Sequence, residues 1–353
     1  MAAIQQRKVQ EGLQFMREAE KSMKTSWLKW KPDLDSAADR YMKAGNSFKA
    51  GRSYPEAEDA FKKAAEAYYN NNSFFHSAKA LEQAASVLKE MKRISEAVEL
   101  IERAGMQYRE SGSPDTAAMC LIRGGKMCEG MEASKAINMF LSAGDLNVGE
   151  DKIREGIEPM VHAVRLLLKT KRYEEAIGVK KKILELYGSI ENFAMMYKTV
   201  LGLVVVYLHE SDYVAADKCY KDSFSIPGFG SSEEAEAAER ILQYFDEGDA
   251  DGLKSCTSQP LFTYLDNEIA KLARSLRVPG DFPENPSKPN KPKNELFDKP
   301  KSVEKDYSNK DEDEEEDEDD DDEQLDTELE KTEESAKALT NPDEEDEFAG
   351  GLC

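Results

Sequence analysis

Small residues come in pairs along this chain, and the pairs are evenly spaced. Ala44-Gly45, Ala64-Ala65, Ala84-Ala85, Ala104-Gly105 and Gly124-Gly125 stand 20 residues apart, and Ala143-Gly144 follows after 19. A second marker runs at twice that interval: Ala57, Ala97, Ala136, Ala176 and Ala216 recur after 40, 39, 40 and 40 residues. Apolar residues fall at helical spacing between them, as in Ala78, Leu81, Ala84 and Leu88, then Ala97, Ile101, Ala104 and Tyr108. The pattern predicts one helix per 20 residues and one antiparallel pair per 40, the signature of an α-solenoid. Small side chains at one height on every helix let neighbouring backbones come close. Glycine inside a helix costs about 1 kcal/mol relative to alanine, so Gly124-Gly125 needs close packing to offset it.

In chain order, residues 4–24 read as an amphipathic helix with Val9, Leu13, Met16, Ala19 and Met23 on one face. Five pairs follow: 36–50 with 55–71, 75–90 with 94–110, 114–128 with 132–147, 152–170 with 173–188, and 191–209 with 212–225. The run Leu203–Leu208 is apolar all round, which predicts a central, buried helix. Ile226-Pro-Gly-Phe-Gly stops the repeat. Helices near 232–247, 249–256 and 260–276 lack the markers and read as a cap. The fold class is therefore all-α: a right-handed, TPR-like solenoid over 1–230, a helical cap over 231–278, and a tail over 279–353. The tetratricopeptide unit itself is shorter, about 34 residues.

Charge separates body from tail. Residues 281–353 carry 29 acidic and 9 basic side chains, against 71 and 48 for the whole chain. The body is thus nearly neutral, at 42 acidic and 39 basic. Six prolines interleaved with lysines over 279–300 predict an extended linker, and the thirteen consecutive Asp and Glu of 311–323 predict disorder. Its functional reading is an electrostatic decoy or a regulator of basic partners; its plain reading is a solubilising tail. The body has neither the net positive charge nor the aromatic-basic platform of a nucleic-acid binder. Five scattered cysteines without CxxC spacing fit reduced core residues and a cytosolic compartment. No apolar run approaches the length of a membrane span, so any membrane contact is peripheral.

Nothing in the sequence points to catalysis. His76, His162 and His209 each stand alone in a helix, without a second ligand at metal spacing. Gly124-Gly125-Lys126 has no Ser or Thr after the lysine, so it is no phosphate-binding loop. The expectation is a binding protein with no catalytic residue, metal, cofactor or small-molecule substrate. The least ordinary stretch is Lys24-Thr-Ser-Trp27-Leu28-Lys29-Trp30-Lys31-Pro32-Asp33, which holds both tryptophans. Exposed Trp and Leu beside Lys suit a membrane interface. The same residues suit a staple folded back on the first helices, with Asp33 or Asp35 capping the next one.

Several segments resemble the soluble NSF attachment proteins, in their gamma branch. They are Lys24-Thr-Ser-Trp-Leu-Lys-Trp-Lys-Pro-Asp-Leu-Asp-Ser-Ala-Ala, Ala78-Lys-Ala-Leu-Glu-Gln-Ala, Leu88-Lys-Glu-Met, Pro114-Asp-Thr-Ala-Ala-Met, Asp212-Tyr-Val-Ala-Ala, Ser225-Ile-Pro-Gly-Phe, Pro260-Leu-Phe and the final eleven residues. The long linker and acidic run depart from the family's shorter tail. The resemblance implies an adaptor that lies along the assembled SNARE four-helix bundle and recruits the hexameric ATPase NSF. It implies membrane contact through Trp27, Leu28, Lys29 and Trp30. Basic side chains on the solenoid face would meet the SNARE complex, with Arg123, Lys126, Arg165 and Lys198 as candidates by position. The C-terminal helix would meet NSF, with Leu272 and Leu276 as candidates. The implied location is cytoplasmic, peripheral to membranes. The competing reading is a helical-repeat scaffold for vesicle tethers or the cytoskeleton without NSF coupling. A chaperone co-factor of the tetratricopeptide type is disfavoured by the 40-residue period.

Overall fold

Each repeat ends its helix in the same way, and that ending sets the period. In the computed structural model, which describes residues 2–25 and 30–280, a residue in the left-handed region follows almost every helix. Arg52, Asn72, Lys92, Asp151, Lys171, Glu191 and Ser211 have φ between 54° and 62°, and Gly112 takes the equivalent place. The next N–H donates to the carbonyl five residues back, as in Ser53 to Phe48, Arg93 to Leu88 and Asp212 to Tyr207, at 2.9 Å each. This is the Schellman closure, which satisfies carbonyls a helix end would otherwise leave open. The next helix begins at once, so consecutive helices run antiparallel.

The helices are α1 (Ala2–Met23), α2 (Leu34–Ala50), α3 (Tyr54–Asn70), α4 (Phe74–Glu90), α5 (Ile94–Glu110), α6 (Pro114–Cys128), α7 (Ala133–Gly149), α8 (Ile153–Lys169), α9 (Tyr173–Ser189), α10 (Phe193–His209) and α11 (Tyr213–Asp222). Two 3₁₀ turns, Ser223–Ser225 and Phe229–Ser231, lead to α12 (Glu233–Glu247), α13 (Ala250–Thr257), α14 (Pro260–Thr263) and α15 (Asn267–Ser275). The described residues contain helices and no strand, and each helix from α1 to α11 packs on the next. The fold is an all-α helical solenoid. By contacts the chain divides after Asn285; the second unit, Pro286–Cys353, lies outside the described residues, and so do the acidic run and Cys353.

The single 19-residue interval has a local cause. Helix α6 is 15 residues long where its neighbours have 17. Its turn lacks a left-handed residue, and Glu132 N–H bonds the Cys128 carbonyl instead. The small pairs are where helices touch. Ala44, Ala64, Ala84, Ala104 and Ala143 are wholly buried. A Cβ on Gly124 would stand 2.5 Å from Ile101 Cγ2 and 2.9 Å from Met139 Sδ, and one on Gly125 would stand 2.9 Å from the Phe140 ring. Thr199 to Leu208 of α10 are buried without a break, as the apolar run predicts. The helix expected over 260–276 is broken in two. Asp266 turns its side chain back to accept the Glu268 N–H at 3.1 Å, which starts α15 afresh.

Gly124→Ala is expected to destabilise the protein by about 1–3 kcal/mol through overpacking against Ile101 and Met139. Gly149→Ala, at a helix end with nothing within 4 Å, is expected to be neutral or stabilising by a few tenths of a kcal/mol. Urea unfolding of both variants checks the contrast.

Candidate functional site

Helices of even number share one face of the solenoid, and the four candidate cations stand on them. Arg123 and Lys126 lie on α6, Arg165 on α8 and Lys198 on α10. They are not equally available. Arg123 ion-pairs with Glu82 of α4, whose other oxygen accepts the Tyr108 hydroxyl at 2.6 Å. Arg165 donates through Nε to Asp266, the residue that caps α15. Lys126 and Lys198 have no carboxylate partner among the described residues. The fold brings Lys126 and Arg165 together around His162, whose ring stacks on Phe140 with centroids 5.4 Å apart. Burial, then the charges of Arg165 and Lys126, hold the imidazole below its usual pKa. His162 therefore stays neutral near pH 7, and its flanking cations carry the charge.

Farther along this face the helices part. A cavity of about 180 Å³ opens between α8, α9, α10 and α15, lined by Val164, Lys180, Ile183, Lys198 and Asp266 among others. A wider hollow of about 570 Å³ shares the walls Val161, Tyr187 and Met195 and adds Arg154, Glu158 and Arg165. The reason lies in the repeat. The eleventh residue of each helix from α2 to α8 is small: Ala44, Ala64, Ala84, Ala104, Gly124, Ala143 and Ala163. In α9 it is Ile183. A branched side chain there holds the neighbours off, and α9 buries only Ala176, Ile183 and Tyr187.

The sequence reading missed Lys180, although the repeat marks it. The eighth residue of successive helices from α2 is Tyr41, Phe61, Leu81, Ile101, Leu121, Phe140, Met160, Lys180 and Val200. All but the lysine are buried core side chains. Lys180 thus puts an ammonium where every neighbour puts an apolar group. Burial pushes its pKa down to about 8, against a partial pull upward from Asp266.

The other two candidate surfaces lie toward the ends of the stack. The loop between α1 and α2 is closed at its neck by Asp33 N–H to the Ser22 carbonyl at 3.0 Å, and the Asp33 side chain accepts the Ser36 N–H at 3.1 Å. Asp33, not Asp35, is therefore the cap. Trp30 stands 89% exposed beside an exposed Lys31. Trp27, Leu28 and Lys29 lie outside the described residues. At the other end Leu272 and Leu276 are half-buried and pack on the core. Leu276 is not within a helix but is the C-terminal cap residue of α15.

No group of three His, Cys, Asp or Glu among the described residues is placed to hold a metal, and no helix there is long and apolar enough to cross a membrane. Cys120, Cys128 and Cys256 are buried free thiols, and Cys219 is half-buried. Burial pushes Cys128 and Cys219 up to about 11, so neither is a ready nucleophile.

The sequence profile of "Soluble NSF attachment protein, SNAP" matches residues 10–261, well over half of the chain. The chain belongs to the soluble NSF attachment protein family. A gamma-soluble NSF attachment protein of Dictyostelium discoideum is 30% identical over 271 residues, 77% of this chain and 84% of its own length. A gamma-soluble NSF attachment protein of Arabidopsis thaliana is 25% identical over 262 residues, 74% and 90% of the two chains. Among solved structures, a circular tandem repeat protein with novel repeat topology is 13% identical, with a TM-score of 0.37 over 74% of each chain. That likeness is too distant to add to the description of this family member.

The position of Lys180 has a measurable cost. Between pH 8 and its ordinary value of 10.5 the amine is protonated in the unfolded chain and largely neutral in the folded one. Its contribution to stability therefore rises with pH across that window. Lys180→Met is expected to be more stable than the parent by about 1–3 kcal/mol at pH 7. The gap should shrink toward pH 9.5. Urea unfolding of both proteins across this range checks the sign; a gap that widens with pH contradicts it.

Proposed function

We propose that the protein is a non-enzymatic adaptor that binds assembled SNARE complexes along its solenoid and recruits the ATPase NSF to take them apart. The observation that carries the reading is the family match, which runs from Gln10 in α1 through the rest of the solenoid to Leu261 in α14. Three features of the structure support it. A continuous helical stack is a scaffold, built to present a long surface rather than to enclose a reaction. Lys126 and Lys198 leave unpaired positive charge on one face, which suits the acidic exterior of a helical bundle. The exposed Trp30, next to an exposed lysine between α1 and α2, suits a peripheral anchor on an anionic bilayer. In this reading α15 and the residues after it face NSF, and the protein works at the cytosolic surface of membranes.

The deciding experiment is reconstituted disassembly with labelled SNARE complex, NSF and ATP, at rising concentration of this protein. Disassembly that requires the protein is the expected result. A folded protein that supports none, across several SNARE sets, leaves the scaffold reading in its place. Within the assay, Lys126→Glu with Lys198→Glu is expected to weaken SNARE-complex binding about three- to tenfold, most strongly at low salt. Neither lysine holds an ion pair, so helicity should be unchanged; because Lys198 also lines the cavity that holds Lys180, Lys126→Glu alone is the variant whose melting should match the parent. Trp27→Ser with Trp30→Ser is expected to weaken co-sedimentation with anionic liposomes and leave the melt intact; equal binding by variant and parent removes the anchor.

A further inference from the structure

We propose that the cavity between α8, α9, α10 and α15 is a binding site for a carboxylate carried on a short apolar body, with Lys180 as its ion-pairing partner. Three independent observations meet there. The repeat puts a large apolar residue at this register in every neighbouring helix and a lysine in α9 alone. Ile183 stands in place of the usual small residue, and the cavity opens beside it. Gly202 of α10 then clears the space in front of the amine: a Cβ there would stand 3.0 Å from Lys180 Nζ. The ammonium is thus drawn in against the α10 backbone, although a lysine stem is long enough to carry its charge out to water.

Lys180 lacks an acceptor within this site. Asp266 is near enough to pull on its charge, but the two do not form an ion pair. The Asp266 oxygens are taken by Arg165 and by the Glu268 N–H. Lys180 is half-buried, so its ammonium is partly withdrawn from water; doing so without an acceptor is costly, and a ligand that supplies one recovers part of that cost. The remaining charge favours an anion: Lys198 is a second ammonium on the wall, and the one wall carboxylate is already engaged. Val161, Val164, Ile183 and Ile269 supply apolar walls. An apolar cavity of roughly 150 Å³ holds a benzene-sized molecule, so about 180 Å³ takes a phenyl ring or a short alkyl chain. The site does not depend on the adaptor reading, because it is tested without SNARE proteins or NSF.

The test uses the full chain with isotope-labelled lysines, Lys180 being assigned from the signal lost in Lys180→Met. At pH 7 the probes are 4-phenylbutyrate and the alcohol of the same length, 4-phenylbutan-1-ol. The acid is expected to bind with Kd on the order of 1 mM or tighter and to shift the Lys180 signal. Its presence should raise the Lys180 titration midpoint above about 8. The alcohol should bind at least about tenfold more weakly, and Lys180→Met should lose that preference while melting no lower than the parent. Equal binding of acid and alcohol overturns the proposal, as does an unperturbed Lys180 at about 20 mM acid, which would leave a merely hydrated cavity. A capped Leu-Glu-Leu peptide separates the sources of the same chemistry. If it binds about tenfold tighter than the free acid, the occupant is a side chain of a partner polypeptide; if weaker, a free small acid.

Discussion

How close two helix backbones can come is set by the one residue between them, and this solenoid is built on keeping that residue small. From α2 to α8 the crossing point is Ala or Gly, and a single added carbon at Gly124 has no room. Close crossing lets the large residues three positions earlier, such as Phe61, Leu81 and Phe140, bury completely or nearly so. Most turns share one short closure, and the turn after α6, which does not, is where the period drops to 19. Where the constraint lapses, at Ile183, the regularity of packing lapses with it. The cavity, the depressed amine of Lys180 and the wall shared with α15 all lie at that place.

Much of the surface charge serves the scaffold rather than a partner. Arg93 with Glu58, Arg123 with Glu82, Lys152 with Asp115 and Lys182 with Asp145 each join a helix or turn to one about two helices earlier. Half-exposed pairs of this kind contribute about 0–1 kcal/mol each, so they set alignment more than stability. Their effect on recognition is larger. A cation already held by a carboxylate offers little net field to an acidic partner. Sequence position ranks Arg123, Lys126, Arg165 and Lys198 equally; the fold leaves Lys126 exposed and unpaired, and Lys198 unpaired but half-buried on the cavity wall.

The helices, their order and the tight glycine contacts were legible in the sequence because they rest on local period and residue size. What was not legible rests on other things. Seven of the left-handed turn residues are not glycine, so no sequence marker announces them. Asp266 breaks a segment that reads as one helix because it answers an arginine 101 residues away. Lys180 was legible in principle. It stands at a register where eight neighbouring helices carry a buried apolar side chain, but a search for small residues passes over the large ones. The tryptophan loop reads two ways in the sequence; Trp30 is exposed, and Trp27 and Leu28 lie outside the described residues.

A solenoid transmits load through contacts between neighbours only, so its weakest joint governs its stiffness. Within the run from α8 to α10 the loosest helix is α9, which buries three residues where α8 and α10 bury nine and ten. The Arg165–Asp266 link crosses this place, tying α8 directly to the cap of α15 and bypassing α9. The C-terminal helices are therefore held to the body by an apolar seam against α10 and by an ionic strap to α8. The strap, α9 and the lysine-lined cavity lie together, because Asp266 both holds Arg165 and lines the cavity wall.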